Sequence, residues 1–397
     1  MKTVWIIGIG MGPDTVTAEG LRAIEQADML IGAKRMVAGY AHLGKPSTAE
    51  YAPGRVAEIV REHAHANFAV LVSGDVGFYS AAEGLLRALD CYEVRLIPGI
   101  SSFHYFFARL QKPWQNAAAI SCHGRESNLV DTVRRNGCTF ALTGGNVSML
   151  AGALEQAGFG GLTAYVGEDL GMETEKIFSC PVRELPVQPV GSLAVLVVEN
   201  PDADASIRTG ISDDEFVRGA VPMTKAEVRA VILSKLGLVP DDICVDVGAG
   251  TGSVTVEMAL SAWRGHVYAI DKNEEAVGLI RENCAAFHIG NVTPLLGDAL
   301  EKLKKLPAVD AAFIGGSGGE MRELVRVILE KNPAARIVIS AIALESVSAA
   351  VEAISGVGLA PEIVQVSVSR TKPAGGLHLL MAQNPIFIMS GGGTHGR

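Results

Sequence analysis

The stretch Ile243–Ala259, "ICVDVGAGTGSVTVEMA", decides the fold. A short apolar strand runs into three alternating glycines, and a helical pattern follows. Glycine permits the tight turn and lets a ligand approach the backbone, while the helix N-terminus offers free N–H groups. We therefore predict a ligand-binding turn between a strand and a helix. The turn comprises Gly248, Ala249, Gly250, Thr251 and Gly252.

Three further strand ends extend this pattern and favour one cofactor. "HVYAID" ends in Asp271, where an acid can take both hydroxyls of an adenosine ribose. "LLGDAL" puts Asp298 where it suits an adenine amino group, and "DAAFIGGSGG" adds a glycine-rich end. Ser253 stands where a dinucleotide fingerprint wants Gly or Ala. The pattern favours S-adenosylmethionine (SAM) over NAD.

A second glycine-rich strand end opens the chain, at "VWIIGIGMGP". Pro13 occupies the third glycine position of a dinucleotide fingerprint and has no N–H to offer a phosphate. Asp28 precedes the next apolar stretch instead of ending it. We predict a tight turn at a ligand site and not a Rossmann loop.

The order of strands and helices indicates two α/β domains. Short apolar strands alternate with helical patterns from end to end, which is typical of α/β layers. The polar, acidic segment Asn200–Phe216 interrupts them. We predict an N-terminal domain at 1–200, a linker at 201–219 and a C-terminal domain at 220–397. "GLHLLMAQNPIFIMS" predicts two final strands in a hairpin-like arrangement.

Composition limits the classes of protein. The net charge of −9 and the 6% aromatic content argue against a nucleic-acid-binding face. No apolar run approaches the ~18 residues that span a membrane. The six cysteines are scattered and form no C-x-x-C, so we expect reduced thiols in a cytoplasmic protein and no metal site.

Both halves resemble methyltransferases of cobalamin biosynthesis. "VWIIGIGMGPDTVTAEGLRAIEQADMLIG", "LVSGDVGFYS" and "LIPGISSFHYFFARL" resemble the tetrapyrrole methylase family, and "SCHGR" resembles its C5-methylating branch. "VPMTKAEVRAVILSKL", "DVGAGTGSVTVEMA", "DKNEEA" and "FIGGSGG" resemble C15-methylating, decarboxylating enzymes. The resemblance implies a two-lobed tetrapyrrole methylase fold followed by a Rossmann-like class I methyltransferase fold.

The resemblance also implies where SAM binds in each half, and hence two SAM sites per chain. Val76 replaces a Pro that many relatives carry after G-D, which weakens that one match. The implied N-terminal contacts are Pro13, Ser73, Gly74, Asp75, Phe78, Ser101, Ser102, Leu142, Thr143 and Gly167. The implied C-terminal contacts are Thr224, Gly248–Gly252, Asp271, Asp298 and Ala299.

A precorrin substrate carries many carboxylates, which Arg and Lys recognise. "TKAEVR" puts Lys225 and Arg229 on one helix face, and each is equally well read as part of a solvated surface. The other candidates for substrate binding are His123, Arg125, Gly316, Arg370 and His378. We identify no catalytic residue, because an electron-rich ring carbon can attack the SAM methyl directly in a site that aligns them.

Two alternatives remain open at this stage. One is a methyltransferase of RNA or another non-corrinoid substrate, whose N-terminal half is a recognition module. The other is a carrier that binds SAM or a tetrapyrrole without catalysis. The families that the halves resemble also imply a symmetric homo-oligomer.

Overall fold

The computed structural model describes residues 2–123 and 128–393 and divides the chain into two compact units. The first holds the described part of Met1–Glu126 together with Asn136–Ala151 and Leu162–Pro201. The second holds the described part of Ser127–Arg135, with Gly152–Gly161 and Asp202–Arg397. Two pieces of the N-terminal half thus belong to the second unit. The predicted domain at 1–200 is contiguous and does not include this exchange.

The first sheet of the first unit is entirely parallel, with strand order β3-β2-β4-β1-β5. Its central strand, "NFAVLV", is buried at all but its first residue, as expected for a parallel strand covered on both faces. The strands are β1 (Thr3–Gly8), β2 (Met29–Gly32), β3 (Ser47–Ala49), β4 (Asn67–Val72) and β5 (Glu93–Ile97). The helices are α1 (Ala18–Gln26), α2 (Lys34–Ala38), α3 (Pro53–Glu62), α4 (Ala82–Ala88) and α5 (Ser102–Leu110).

The second sheet of the first unit is mixed. Its order is β6-β7-β10-β8-β9, and only the β6–β7 pair is parallel. The strands are β6 (Ala118–Ser121), β7 (Cys138–Leu142), β8 (Thr163–Glu168), β9 (Lys176–Pro181) and β10 (Ala194–Glu199). Two helices lie between them in the chain, α6 (Leu129–Arg135) and α7 (Val147–Leu154).

The second unit is a doubly wound sheet of order β13-β12-β11-β14-β15-β19-β16, in which only β19 is antiparallel to its neighbours. Its strand order reverses at β11, and ligands bind at such switch points. The strands are β11 (Ile243–Val247), β12 (His266–Asp271), β13 (Val292–Leu296), β14 (Ala311–Ile314), β15 (Arg336–Ala341), β16 (Glu362–Val366), β17 (Ser369–Ala374), β18 (Leu377–Ala382) and β19 (Ile386–Gly392). The helices are α8 (Ala226–Leu236), α9 (Ser253–Ser261), α10 (Glu274–Ala286), α11 (Ala299–Lys305), α12 (Met321–Lys331) and α13 (Leu344–Gly356).

The two architectures confirm the predicted α/β class, and the last strands correct one detail. β18 pairs with β17 in a separate two-stranded sheet, whereas β19 inserts between β15 and β16. The predicted hairpin between the two final strands is therefore wrong, because the apolar period of each strand does not reveal its partner. Within the described residues, no helix has the length and apolar character needed to cross a bilayer.

The segment predicted as a linker, 201–219, packs on the second unit over part of its length. Ile211 and Phe216 are 3% and 5% exposed and belong to the apolar core around α8 and α9. Asp213 is also buried. The sequence pattern of the segment is polar because its apolar residues are few, yet two of them, Ile211 and Phe216, anchor it.

Candidate functional site

A cleft of about 1200 Å³ lies in the first unit and is lined from both of its sheets. Protein sites for drug-sized ligands commonly measure about 300–1,000 Å³, so this cleft has room for a larger ligand. It contains seven residues singled out from the sequence. They are Ser73, Phe78, Ser102, His123, Leu142, Thr143 and Gly167.

Three other predicted contacts shape the loops behind the cleft instead of lining it. The Asp75 carboxylate accepts hydrogen bonds from the Gly77 N–H at 2.8 Å and the Gly99 N–H at 3.0 Å. Ser101 is 1% exposed and caps α5 by accepting from the His104 N–H at 3.2 Å. Gly74 adopts φ +69°, and its N–H donates to Gly10 O. Each of these groups already has a partner in the protein.

The first glycine-rich loop is a structural turn. Its Met11 and Gly12 N–H groups donate to Thr15 Oγ1 at 2.7 and 3.1 Å, so they are not presented to a phosphate. A Cβ on Gly8 would lie 2.7 Å from Gly74 O, which shows why glycine is needed where the strand ends meet. Pro13 lines a separate cavity of about 270 Å³. These contacts agree with the prediction that the loop is not a dinucleotide clamp.

The cleft also contains residues that the sequence reasoning missed. Tyr79 and Asp169 both line it with φ +48°, and strained backbone of this kind concentrates at functional sites. Arg35 lines both the cleft and the smaller cavity. It stands three residues after the end of β2, on the carboxyl edge of a parallel sheet. Its position in the sequence, just after a predicted strand, could have identified Arg35 as a candidate, because ligands bind at this edge.

In the second unit, the glycine-rich turn after β11 has the predicted geometry. Gly248, Gly250 and Gly252 have φ of +73°, +57° and +78°, which favour glycine. A Cβ on Gly248 would lie 2.8 Å from Gly316 N. The Gly250 N–H donates to Asp271 Oδ2 at 2.9 Å, and Asp271 Oδ1 accepts from the Asn273 N–H at 2.9 Å. Asp271 thus holds the turn as well as facing the switch point.

Two buried polar atoms beside this turn have no hydrogen-bond partner among the described residues. They are Thr251 Oγ1 and Asp246 Oδ1. Complete burial raises the pKa of Asp246 to about 7, although its hydrogen bond with Thr255 Oγ1 at 2.6 Å opposes the shift. Unpaired buried groups cost free energy. Their presence at a turn open to ligand fits a site that takes a polar ligand such as SAM.

The remaining predicted contacts of this unit lie at the carboxyl edge of the same sheet. Asp298 caps α11, where its Oδ1 accepts from the Glu301 N–H at 2.9 Å, and Ala299 follows it. Gly316 is exposed and has no atom within 4 Å of an added Cβ. Thr224 lies just before α8, and its carbonyl accepts from Arg229 Nη1. The structure leaves room for a ligand over Gly316.

Arg229 is a correction to the predicted substrate pocket. Its side chain is 0% exposed and forms ion pairs with Asp213 Oδ1 at 2.9 Å and Glu257 Oε1 at 2.8 Å. Glu257 in turn accepts from the Gly210 N–H at 2.8 Å and the Ile211 N–H at 3.1 Å. Arg229 cannot reach a substrate. It anchors the segment before α8 to α9.

Two of the other predicted substrate residues, Arg370 and Lys225, meet at Asp213. Arg370 pairs with Glu227 at 2.6 Å and Asp213 at 3.1 Å, so its charge is already compensated. Lys225 Nζ is 3.9 Å from Asp213 Oδ2, and His378 is exposed on β18. Burial would raise the pKa of Asp213, but Arg229 and Arg370 hold it below its usual value. The structure thus brings Arg370 and Lys225 together, but around a protein carboxylate that already takes their charge. Arg125 lies outside the described residues.

Comparison with known proteins identifies two families along the chain. Residues 3–186 match the tetrapyrrole (corrin/porphyrin) methylases, and residues 214–391 match the precorrin methyltransferase domain. A probable cobalt-precorrin-6B C(15)-methyltransferase (decarboxylating) of Pyrobaculum aerophilum is 42% identical over 46% of this chain and 94% of its own length. Its counterpart from Methanothermobacter thermautotrophicus is 39% identical over 47% of this chain and 97% of its own length.

A solved structure is also similar to part of this chain. The precorrin-6y C5,15-methyltransferase from Geobacter metallireducens GS-15 is 36% identical, covers 47% of this chain and 97% of its own, and superposes with a TM-score of 0.45.

Proposed function

Because this chain belongs to the precorrin methyltransferase family, we propose that it methylates a reduced precorrin-6 ring at C5 and C15 and decarboxylates the ring-C acetate at C12, in cobalamin biosynthesis. The first unit carries C5 methylation, and the second carries C15 methylation with decarboxylation. SAM is the donor at one site in each unit. The substrate is a small-molecule tetrapyrrole, and neither nucleic acid nor a membrane takes part.

One observation carries the proposal: each unit has its own ligand-binding geometry. The first has a cleft of about 1200 Å³, and the second has a glycine-rich turn at a switch point with unpaired polar atoms beside it. A chain with one active site and one recognition module would need only one of them. Two geometries therefore support two methyl transfers by one protein.

The protein's part in methyl transfer is to bind and align. SAM supplies an electrophilic methyl group, and the meso carbons of a reduced corrinoid are nucleophilic without a strong base. Holding the reacting atoms close and in line can remove much of the barrier. In the first unit this role falls to the walls around Ser102 and Thr143. In the second it falls to the turn at Gly248–Gly252 and to Gly316 opposite.

Decarboxylation at C12 needs an electron sink, which a protonated, conjugated ring provides. The bond between the acetate methylene and its carboxylate breaks, carbon dioxide leaves, and the bonding electron pair passes into the protonated ring. A proton then adds to the exocyclic methylene carbon, which becomes a methyl group. A site that removes water from the departing carboxylate assists this step. No residue is assigned as the proton donor.

We further propose a cytoplasmic homo-oligomer. The six cysteines are thiols without a disulfide partner, as expected of a reducing compartment. Leu377, Leu379 and Met381 alternate along β18 and so share one face of the strand, and they are between 49% and 68% exposed. Exposed apolar surface of this kind supports self-association. Sedimentation of the full chain measures its assembly directly.

Paired variants of the full chain test the division of labour. Ser102→Trp puts a bulky side chain into the cleft of the first unit, and Asp271→Ala removes the acid that holds Gly250 in the second. Each protein receives SAM and reduced precorrin-6, mass spectrometry reads the products, and calorimetry counts bound SAM. We expect Ser102→Trp to lose C5 methylation and Asp271→Ala to lose C15 methylation with decarboxylation, each binding one SAM fewer.

Two results would contradict the proposal. If the wild-type chain binds SAM but leaves the corrinoid unchanged, the substrate is wrong. If either single variant abolishes both methylations while the protein remains folded, the two activities do not reside in separate units.

A further inference from the structure

Arg35 is the one Arg or Lys among the described residues that line the cleft of the first unit. The acids Glu83 and Asp169 line it as well, and the chain as a whole carries a net charge of −9. Glu83 is offset by Arg87 at 2.7 Å. Among the described lining residues, a substrate rich in carboxylates therefore meets one fixed positive charge.

The Arg35 guanidinium is uncommitted. Its side chain is exposed, and in the described part of the chain it forms no ion pair. Its hydrogen bond goes from Nη2 to Ser73 Oγ at 3.3 Å, which is a long contact with a neutral hydroxyl. By contrast, Arg229 and Arg370 of the second unit are already paired with acids. Arg35 keeps most of its five donors available.

The position of Arg35 also suits one peripheral group of a large ring. It lines both the cleft and the adjoining cavity of about 270 Å³, and it shares both linings with Met11, Ser73 and Met172. The smaller cavity is too small for a tetrapyrrole but large enough for an acetate or propionate arm. A carboxylate at the junction would meet the guanidinium fork and the Ser73 hydroxyl together.

From these observations we infer that Arg35 binds a peripheral carboxylate of the tetrapyrrole and so sets the orientation of the ring in the first unit, with the arm directed into the smaller cavity. The inference rests on the proposed function of that unit. It assigns Arg35 to substrate binding, not to SAM and not to bond making. Removal of Arg35 should therefore raise the KM for the corrinoid and leave the affinity for SAM unchanged.

The test compares Arg35→Gln and Arg35→Lys with Lys34→Gln in the full chain. Lys34 is exposed, precedes Arg35 on the same short helix and does not line either cavity, so its variant removes an equal charge from outside the site. We expect Arg35→Gln to raise the KM for C5 methylation of reduced precorrin-6 by about 10- to 100-fold, the range for losing a charge-assisted hydrogen bond. Lys34→Gln should stay within about twofold.

Three further readouts separate binding from a structural effect. Arg35→Lys keeps the charge and loses the fork, so it should recover part of the affinity. Added salt should raise the wild-type KM more steeply than that of Arg35→Gln. C15 methylation, which belongs to the other unit, should be unchanged in all three variants.

The inference fails if Arg35→Gln leaves the KM unchanged, if Lys34→Gln raises it equally, or if Arg35→Gln weakens SAM binding instead. Failure of the proposed function looks different, because then the wild-type chain methylates no corrinoid. In that event, fluorescence titration with uroporphyrin, a polycarboxylate ring, still decides about Arg35. Weaker uroporphyrin binding by Arg35→Gln than by Lys34→Gln supports the carboxylate site, and equal binding overturns it.

Discussion

Asp246 is a carboxyl group whose ionisation the fold opposes. Burial raises its pKa from the usual value of 3.8 to about 7. Between these values the folded chain binds more protons at this group than the unfolded chain does. The contribution of Asp246 to stability is therefore most favourable below about pH 4 and is lost as the pH rises towards 7.

Asp246→Asn should remove this dependence. We expect the urea midpoint of the second unit to fall less between pH 5 and pH 7.5 in the variant than in the wild type. The midpoint can be followed by thiol labelling of Cys244 and Cys284, which are buried in this unit. Parallel pH profiles for the two proteins would show that Asp246 does not titrate in this range.

Arg229 provides a second prediction, on the stability of the same unit. Arg229→Met leaves Asp213 and Glu257 buried without their shared cation, and breaking a buried ion pair from one side costs about 3–5 kcal/mol. Arg326→Met is the control, because its pairs with Glu323 and Glu330 lie on the surface, where solvent screens them and they contribute little to stability. Equal losses of unfolding free energy in the two variants would contradict the assigned anchoring role.

The glycine-rich turn is the element that makes the second unit a binding site. Gly248→Ala puts a Cβ 2.8 Å from Gly316 N at a φ of +73°, so the turn must move. We expect C15 methylation to fall at least about 100-fold, equivalent to a strain of roughly 3 kcal/mol, while C5 methylation continues.

Gly278→Ala is the matched control for that change. Gly278 lies inside α10, and an added Cβ meets no atom within 4 Å. The same substitution should raise the unfolding free energy there by about 0.5–1 kcal/mol and leave both activities intact. Loss of C15 methylation in Gly278→Ala would mean that the effect at Gly248 is not specific to the turn.

At the scale of elements, local patterns were sufficient for most of the fold. The predicted alternation of short apolar strands with helices runs through both units, because apolar runs between polar turns mark strands. The partner of β18 was not predictable in this way. Strand pairing depends on contacts far apart in the chain, which a local period does not encode.

The candidate site was predictable where backbone demands a residue type and unpredictable where a side chain has alternatives. The turn requires glycine at Gly248, Gly250 and Gly252 because its backbone is left-handed there, as their positive φ values show. The sequence alone does not distinguish an arginine that binds substrate from one that pairs with a neighbouring acid. Arg229 was assigned to substrate although Glu257 binds it, and Arg35 was overlooked although it lines the cleft.

At the scale of the whole molecule, the second unit includes pieces of the N-terminal half. His288 Nδ1 lies 2.7 Å from Ala157 O, and its ring stacks on Phe159 with centroids 4.5 Å apart. Asn128 Nδ2 donates to Trp263 O at 3.0 Å. Homology along the chain could not reveal this arrangement, because family matches follow sequence order and compact units need not.

A fragment that begins at Asp202 should therefore be less stable than the same unit in the full chain. It loses at least four hydrogen bonds of about 1 kcal/mol each, two of them between Arg134 and Asp204, and a ring stack. We therefore expect its melting temperature to be lower by about 10–20 °C. Adding peptides that correspond to residues 128–135 and 152–161 should raise it again. Identical melting of the fragment and of the unit in the full chain would show that these segments contribute nothing to its stability.

Because segments of the two units alternate along the chain, the second unit cannot be completed until late in translation. Ribosomes add about 5–20 residues per second, so Gly152–Gly161 emerges roughly 10–50 s before the C-terminal strands with which its unit is completed. During that interval Ala157 and Phe159, which are 3% and 5% exposed in the finished fold, have no completed surface to cover them. The nascent chain thus carries an unfinished apolar patch in its middle until translation ends, and this is where chaperone binding during synthesis should be sought.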